Sequence, residues 1–162
     1  MAFRQIIQDL AQHVSQRKVK FTDKDPEYYI FADLITDEEA KVLLAMRRRN
    51  EETVDYVAKK VKKTYAETFE ILMRLADYGV IELKPQSSGE DCFELPIYVP
   101  GVFELMMLNR ENANKHPEIA RAFEEYTRTT VKQVTELMPM GNGAWRVIPV
   151  ESAIKNETRR AP

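Results

Sequence analysis

Apolar residues in this chain recur mostly at helical spacing, with one stretch of strand-like alternation. Phe3, Ile6, Ile7, Leu10, Ala11 and Val14 share one face, so residues 2–16 read as an amphipathic helix. The polar stretch "SQRKVKFTDKDPEYY" follows as a loop, with Pro26 as its breaker. In "TDEEAKVLLAMRRR" a second helix opens at Thr36, and Glu39 can reach back to complete a capping box. Ala40, Leu43 and Leu44 point inward. Arg47 to Arg49 close this helix where its dipole favours cations.

Asn50 then begins a short helix whose Val54, Val57, Ala58 and Val61 form one stripe. Thr64 and Glu67 make a second capping box. The helix behind it turns Phe69, Leu72, Met73 and Ala76 inward and stops at Gly79. The period then changes from 3.6 to 2. Ile81 and Leu83 alternate with Glu82, and Phe93 and Leu95 alternate with Glu94. "VIELK" and "DCFELPIYV" are therefore two strands around the turn "PQSSGE". Three helices followed by a hairpin describe a winged helix-turn-helix.

Beyond Pro100 and Gly101 come a short apolar helix, "VFELMML", and a longer one, "HPEIARAFEEYTRTTVKQVTEL", with Pro117 in its first turn. Its apolar line is Ile119, Phe123, Tyr126, Val134 and Leu137. "MGNGAW" is a turn, "WRVIPV" a strand and "ESAIKNETRRAP" a polar tail. The expected class is α+β, mostly α. The expected order is an N-terminal helix and loop (1–32), the winged helix-turn-helix (33–100), a helical connector (101–140), and a short strand with the tail (141–162).

Composition narrows the function classes. Hydrophobic residues are 44% and charged residues 31%, as in a globular protein. The formal net charge of -2 argues against a general nucleic-acid coat, so binding of that kind needs a local basic patch. Residues 41–65 supply one, with eight cations against three acids, while residues 82–126 hold nine acids against four cations. The candidate DNA contacts are Arg48, Arg49, Lys59, Lys60, Lys62, Lys63, Thr64, Tyr65 and Thr68. They surround the start of the helix that would meet a groove. That helix also carries Glu67 and Glu70, and its first exposed turn has no Arg or Asn for bidentate base contact.

Catalytic signatures are missing. His13 and His116 lie far apart, "GNG" is a turn rather than a phosphate loop, and Glu124–Glu125 is surface charge. The one cysteine, Cys92, sits in a strand and reads as buried and inert. A lone thiol fits a reducing cytoplasm, and no stretch approaches the ~18 consecutive apolar residues of a membrane span. The chain is expected to be a non-enzyme that is cytoplasmic and contacts no membrane.

Three stretches carry a family resemblance: "FADLITDEEAKVLLAM", "LPIYVPGVFELMM" and "PEIARAFEEYTRTTVKQVTELMPMGNGAWRVIPVESAI". They resemble the N-terminal portion of ferredoxin-type, 4Fe-4S-binding proteins of anaerobic microbes, over about residues 30–155. In that family a winged-helix segment and a helical connector precede a cysteine-rich cluster domain. The family's four-cysteine run is absent here, so no ligand residue carries over and no cofactor is held by this chain. The 4Fe-4S cluster belongs to a longer parent chain, if this is an excised N-terminal portion rather than a natural short form.

The resemblance implies a non-catalytic winged-helix module of a ferredoxin-like iron–sulfur redox protein, active in docking or regulation. Its partner would be an iron–sulfur domain or an electron-transfer protein. The alternative is a winged-helix transcriptional regulator that binds DNA. A homodimer is also expected, because the connector is rich in Met, Phe, Val and Leu that a thin winged-helix core would leave uncovered.

Overall fold

A computed structural model describes residues 3–15, 19–86 and 90–133. The elements are α1 (Gln5–Ser15), α2 (Pro26–Leu34), α3 (Asp37–Ala45), β1 (Glu51–Thr53), α4 (Val54–Val61), α5 (Tyr65–Asp77), β2 (Glu82–Lys84), β3 (Cys92–Glu94), α6 (Val102–Leu108), α7 (Arg110–Lys115) and α8 (Glu118–Tyr126). A π-helical turn, Thr127–Val131, follows. Residues 1–127 form one compact unit and residues 128–162 a second. The strand expected at "WRVIPV", the polar tail, Val134 and Leu137 lie outside the described residues.

The winged helix is present. Helices α3, α4 and α5 pack on one another, and the sheet runs in the order β1-β3-β2 with both pairings antiparallel. Leu83 faces Phe93 across the wing, and Glu52 faces Phe93 on the other side. Val54, Val57, Leu72, Leu75 and Phe93 are fully enclosed in the core between them.

Both capping boxes form. Thr36 accepts from the Glu39 N–H while the Glu39 carboxylate accepts from the Thr36 N–H at 2.8 Å. Thr64 and Glu67 repeat the exchange, with the Thr64 N–H at 2.9 Å. Each box satisfies backbone donors that the first helical turn otherwise leaves open.

Gly79 ends α5 in the left-handed region, at φ +75°. Its N–H donates to the Ala76 carbonyl at 2.9 Å, and the Val80 N–H donates to Leu75 at 3.0 Å. That pair of bonds is a Schellman stop. The backbone of Leu105 also lies close: a Cβ at Gly79 would sit 2.6 Å from the Leu105 carbonyl carbon. The turn therefore needs glycine for its φ and for the α6 chain that crosses it.

Several sequence expectations are corrected. The loop expected around Pro26 contains α2, because Pro26 occupies the first helical turn, where a missing N–H costs nothing. This helix runs across the boundary drawn between residues 32 and 33. Asn50 starts no helix: β1 comes first, and Thr53 caps α4. The second helix ends at Ala45, so Arg47 to Arg49 lie beyond it rather than on its last turn. The long helix expected from His116 is preceded by a separate short one, α7, and its regular part ends at Tyr126. The buried face of α5 is Thr68, Ile71, Leu72 and Leu75. Phe69, Met73 and Ala76 are half-buried at its edge.

The flanking helices share the core. Helix α1 packs on α3 and α2, α2 packs on α8, and α8 packs on α6. Tyr98 is 1% exposed; its ring lies 5.5 Å from Phe31 and 5.4 Å from Phe103, and its hydroxyl donates to the Glu27 carbonyl at 2.8 Å. Replacing Gly79 with alanine should destabilise the chain by more than about 1 kcal/mol, through αL strain and the clash with Leu105 together. Urea unfolding of Gly79→Ala against the wild type measures it; an unchanged midpoint would refute the close approach.

Candidate nucleic-acid interface

In a winged helix, α5 is the element that would enter a groove and the β2–β3 wing the element that would flank it. The start of α5 is set by a short turn. Lys62 caps α4 in the αL conformation, at φ 58°, and the Lys63 N–H donates to the Ala58 carbonyl at 3.1 Å. Thr64 then caps α5. This turn holds the two helices of the motif at a fixed angle and leaves Lys62, Thr64 and Tyr65 exposed.

Four of the eight cations that form the patch in the sequence are engaged within the fold, and Lys41 is exposed on α3. Arg47 donates from Nε to the buried Glu52 carboxylate at 2.7 Å and lies over the Tyr56 ring. Lys60 covers that ring at 4.6 Å and donates to the Ala45 carbonyl at 3.2 Å. Arg48 is half-buried and donates to the His13 carbonyl. Lys63 pairs with Glu38, which raises its pKa. Lys59 and Lys62 are exposed and have no ion pair among the described residues. Arg49 also stays exposed, but it lies beside β3, its N–H donating to the Leu95 carbonyl at 2.9 Å.

Thr68, expected at the groove, is fully buried, because its Oγ1 donates back to the Thr64 carbonyl at 2.9 Å. It is a core residue and cannot touch DNA. Tyr65 is 48% exposed and stacks on Phe69 with ring centroids 6.1 Å apart, while Phe69 meets Phe93 edge-on. The outer face of α5 is thus aromatic at its start and acidic along its length, with Glu67, Glu70 and Asp77 exposed. Its single cation, Arg74, donates to the buried Glu39 at 2.6 Å. The wing adds Glu90 and Asp91.

Sequence reasoning missed the clamp at Glu39. This carboxylate is 2% exposed, caps α3 through Thr36 and receives Arg74 from α5. Burial pushes its pKa up. The Thr36 N–H and hydroxyl, together with the Arg74 guanidinium, outweigh that and hold it below the ordinary 4.5. The Thr36–Glu39 spacing shows the cap, whereas nothing local shows the contact with Arg74.

A cluster of the 4Fe-4S type does not fit the donors present. Such a cluster takes four thiolates, and Cys92 is the one cysteine. It is buried in β3, and burial together with Glu90, Glu51 and Asp91 raises its pKa. Among the described residues there is no group of three or more His, Cys, Asp or Glu side chains placed to hold a metal ion. No described helix is long and apolar enough to cross a membrane.

No protein-family model matches the chain, and neither does any curated protein. Among solved structures it is similar to MepR, a transcription regulator of the Staphylococcus aureus multidrug efflux pump MepA. The identity is 14% and the TM-score 0.36, over 83% of this chain and 94% of that one. A likeness of that size bears on neither function nor partner.

The Glu39 clamp sets a pH dependence. A carboxylate whose pKa falls on folding contributes stability above its unfolded value, and that contribution is lost as pH drops through the folded value. Glu39→Gln should therefore be less stable than the wild type at pH 7, and the gap should close as pH falls below about 4.5. Urea midpoints across pH 3 to 7 read it out, and a gap independent of pH would refute the assignment.

Proposed function

We propose that this chain is a non-catalytic winged-helix docking module whose partner is a ferredoxin-type 4Fe-4S domain. The observation that supports docking is the outer face of α5. It carries Glu67, Glu70 and Asp77, and its one cation is occupied by Glu39. Phosphates repel such a face, whereas a protein surface can complement it. The iron–sulfur partner rests on the resemblance of "LPIYVPG", "FEEYT" and "RVIPV" to the family in which a winged helix precedes a cluster domain. The experiment is to mix the full chain with a separately purified 4Fe-4S ferredoxin-type domain. A complex on gel filtration, with a shifted cluster midpoint potential, is expected. Independent elution and an unshifted potential would refute the partner.

A second reading, a DNA-binding regulator of the winged-helix type, is favoured by Lys59 and Lys62. These are exposed and un-neutralised beside the capped start of α5. If DNA is bound, log affinity should fall linearly with log salt, and the Lys59→Glu/Lys62→Glu double variant should lower that slope by roughly 2. Anisotropy of a labelled duplex against salt decides it, since absence of binding at low salt removes this reading.

A further inference from the structure

The acidic edge of α5 borders a trough that the docking reading does not by itself require. One depression, of about 460 Å³, lies between Met73, Ala76 and Asp77 of α5, Leu83 of β2 and Leu108 of α6. A second shares Met73 and Asp77 with it and extends towards Phe69 and Glu70. A third shares Glu82 and Leu105 and extends towards Glu94 and Glu104. Through these shared residues the three depressions adjoin one another, a channel-like row along α5, across β2 and onto α6.

The floor is apolar and open. Leu108 is 76% exposed and Met107, beside it, 39%. Met73 and Leu83 are only half-buried. A contiguous apolar strip of this kind on a folded surface marks a contact site. Its rim is acidic. Glu70 and Asp77 have no ion pair among the described residues, and Glu82 and Glu94 share one cation, Lys84. Of the cations on the walls, Arg74 is turned to Glu39, and Arg49 stands exposed at the third depression against Glu82, Glu94 and Glu104 on the same walls.

We infer that this channel docks a basic amphipathic helix from a partner protein. The inference rests on the docking reading and names its chemistry. An amphipathic helix lays apolar anchors at i, i+3, i+4 and i+7 into such a groove. Lysines and arginines flanking that stripe would meet Glu70 and Asp77 at one end and Glu82 and Glu94 at the other. Two other occupants are disfavoured by the same charges. A second copy packed by a two-fold axis would bring these carboxylates against themselves, and nucleic acid would bring phosphate to them.

The test uses the full chain and a labelled synthetic helix of about 18 residues, with leucines on one stripe and lysines flanking it. A control peptide replaces every lysine with glutamate. The lysine peptide should bind saturably, as read by fluorescence anisotropy, and the glutamate peptide should bind at least about tenfold more weakly. Leu108→Asp and Asp77→Lys should each weaken the lysine peptide by roughly tenfold. Both positions are exposed, and a lysine in the last turn of α5 suits the helix dipole, so both variants should fold. Lys24→Glu, exposed and on none of the channel walls, should leave the affinity unchanged.

Equal binding of the two peptides, or a Leu108→Asp variant that binds as the wild type, overturns the inference. So does dimerisation in light scattering that Leu108→Asp abolishes, because the occupant is then a second copy. Peptide binding that persists when the ferredoxin-type domain fails to bind removes the redox partner and leaves the channel. Loss of peptide binding while that domain still binds removes the channel alone.

Discussion

The burial of Tyr98 ties the winged helix to the helices on either side of it. Its ring stands between Phe31 of α2 and Phe103 of α6, with Tyr126 at 6.0 Å, and its hydroxyl reaches the Glu27 carbonyl. A buried phenol must keep its hydrogen bond, because an unsatisfied hydroxyl in an apolar core costs on the order of 1–3 kcal/mol. The first turn of α2 supplies the acceptor. Three helices and three short strands bury little surface alone, and the aromatic cluster extends that core through α2, α6 and α8. Among the described residues of the connector, Val102, Phe103 and Met106 are used here, within one chain, while Met107 and Leu108 stay exposed.

Electrostatics follows from the same packing. The cations of residues 41–65 form a run in sequence, but folding brings Glu38, Glu39 and Glu52 among the elements that carry or face them. Glu52 takes Arg47, and Glu38 takes Lys63. Glu39 removes the one cation of the α5 face. What remains exposed of that run is Lys41, Arg49, and Lys59 and Lys62 at the end of α4, against a run of carboxylates along α5. The charge separation seen along the sequence therefore survives in weakened form at the turn and is reversed on the helix that would read a groove.

The features legible in the sequence are those encoded within a few residues. Both capping boxes and the glycine stop depend on neighbours no more than a turn or two away, and all are present, whereas the strand expected over "DCFELPIYV" is only Cys92–Glu94, with Leu95 beyond its end. The features missed depend on distant partners or on context. Strand β1 is three residues long and exists because β3 pairs with it. Pro26 breaks a helix at an interior position but starts one at the first turn, and spacing alone does not say which. Thr68 looks polar and available until its Oγ1 bonds the Thr64 carbonyl, which lets it sit in the core. Of the candidate DNA contacts, Lys63 is held by an ion pair, Arg48 and Lys60 by backbone carbonyls and Thr68 by burial, while Arg49, Lys59, Lys62, Thr64 and Tyr65 stay exposed.

A winged helix is a shape before it is a DNA reader. The helix–turn–helix angle, the capped α5 and the wing are all set by packing and caps that say nothing about phosphate. What selects a partner is the charge and apolarity left on the outer face once those demands are met. Here the leftover is carboxylate along α5, stacked Tyr65 and Phe69 at its start, and an open apolar strip ending at Leu108. Cations at a groove-reading helix gain from counterion release, whereas carboxylates there lose to phosphate repulsion. The same carboxylates beside leucine and methionine become complementary to a lysine-flanked helix, so the side chains that weaken the case for DNA are the ones that make the case for a protein.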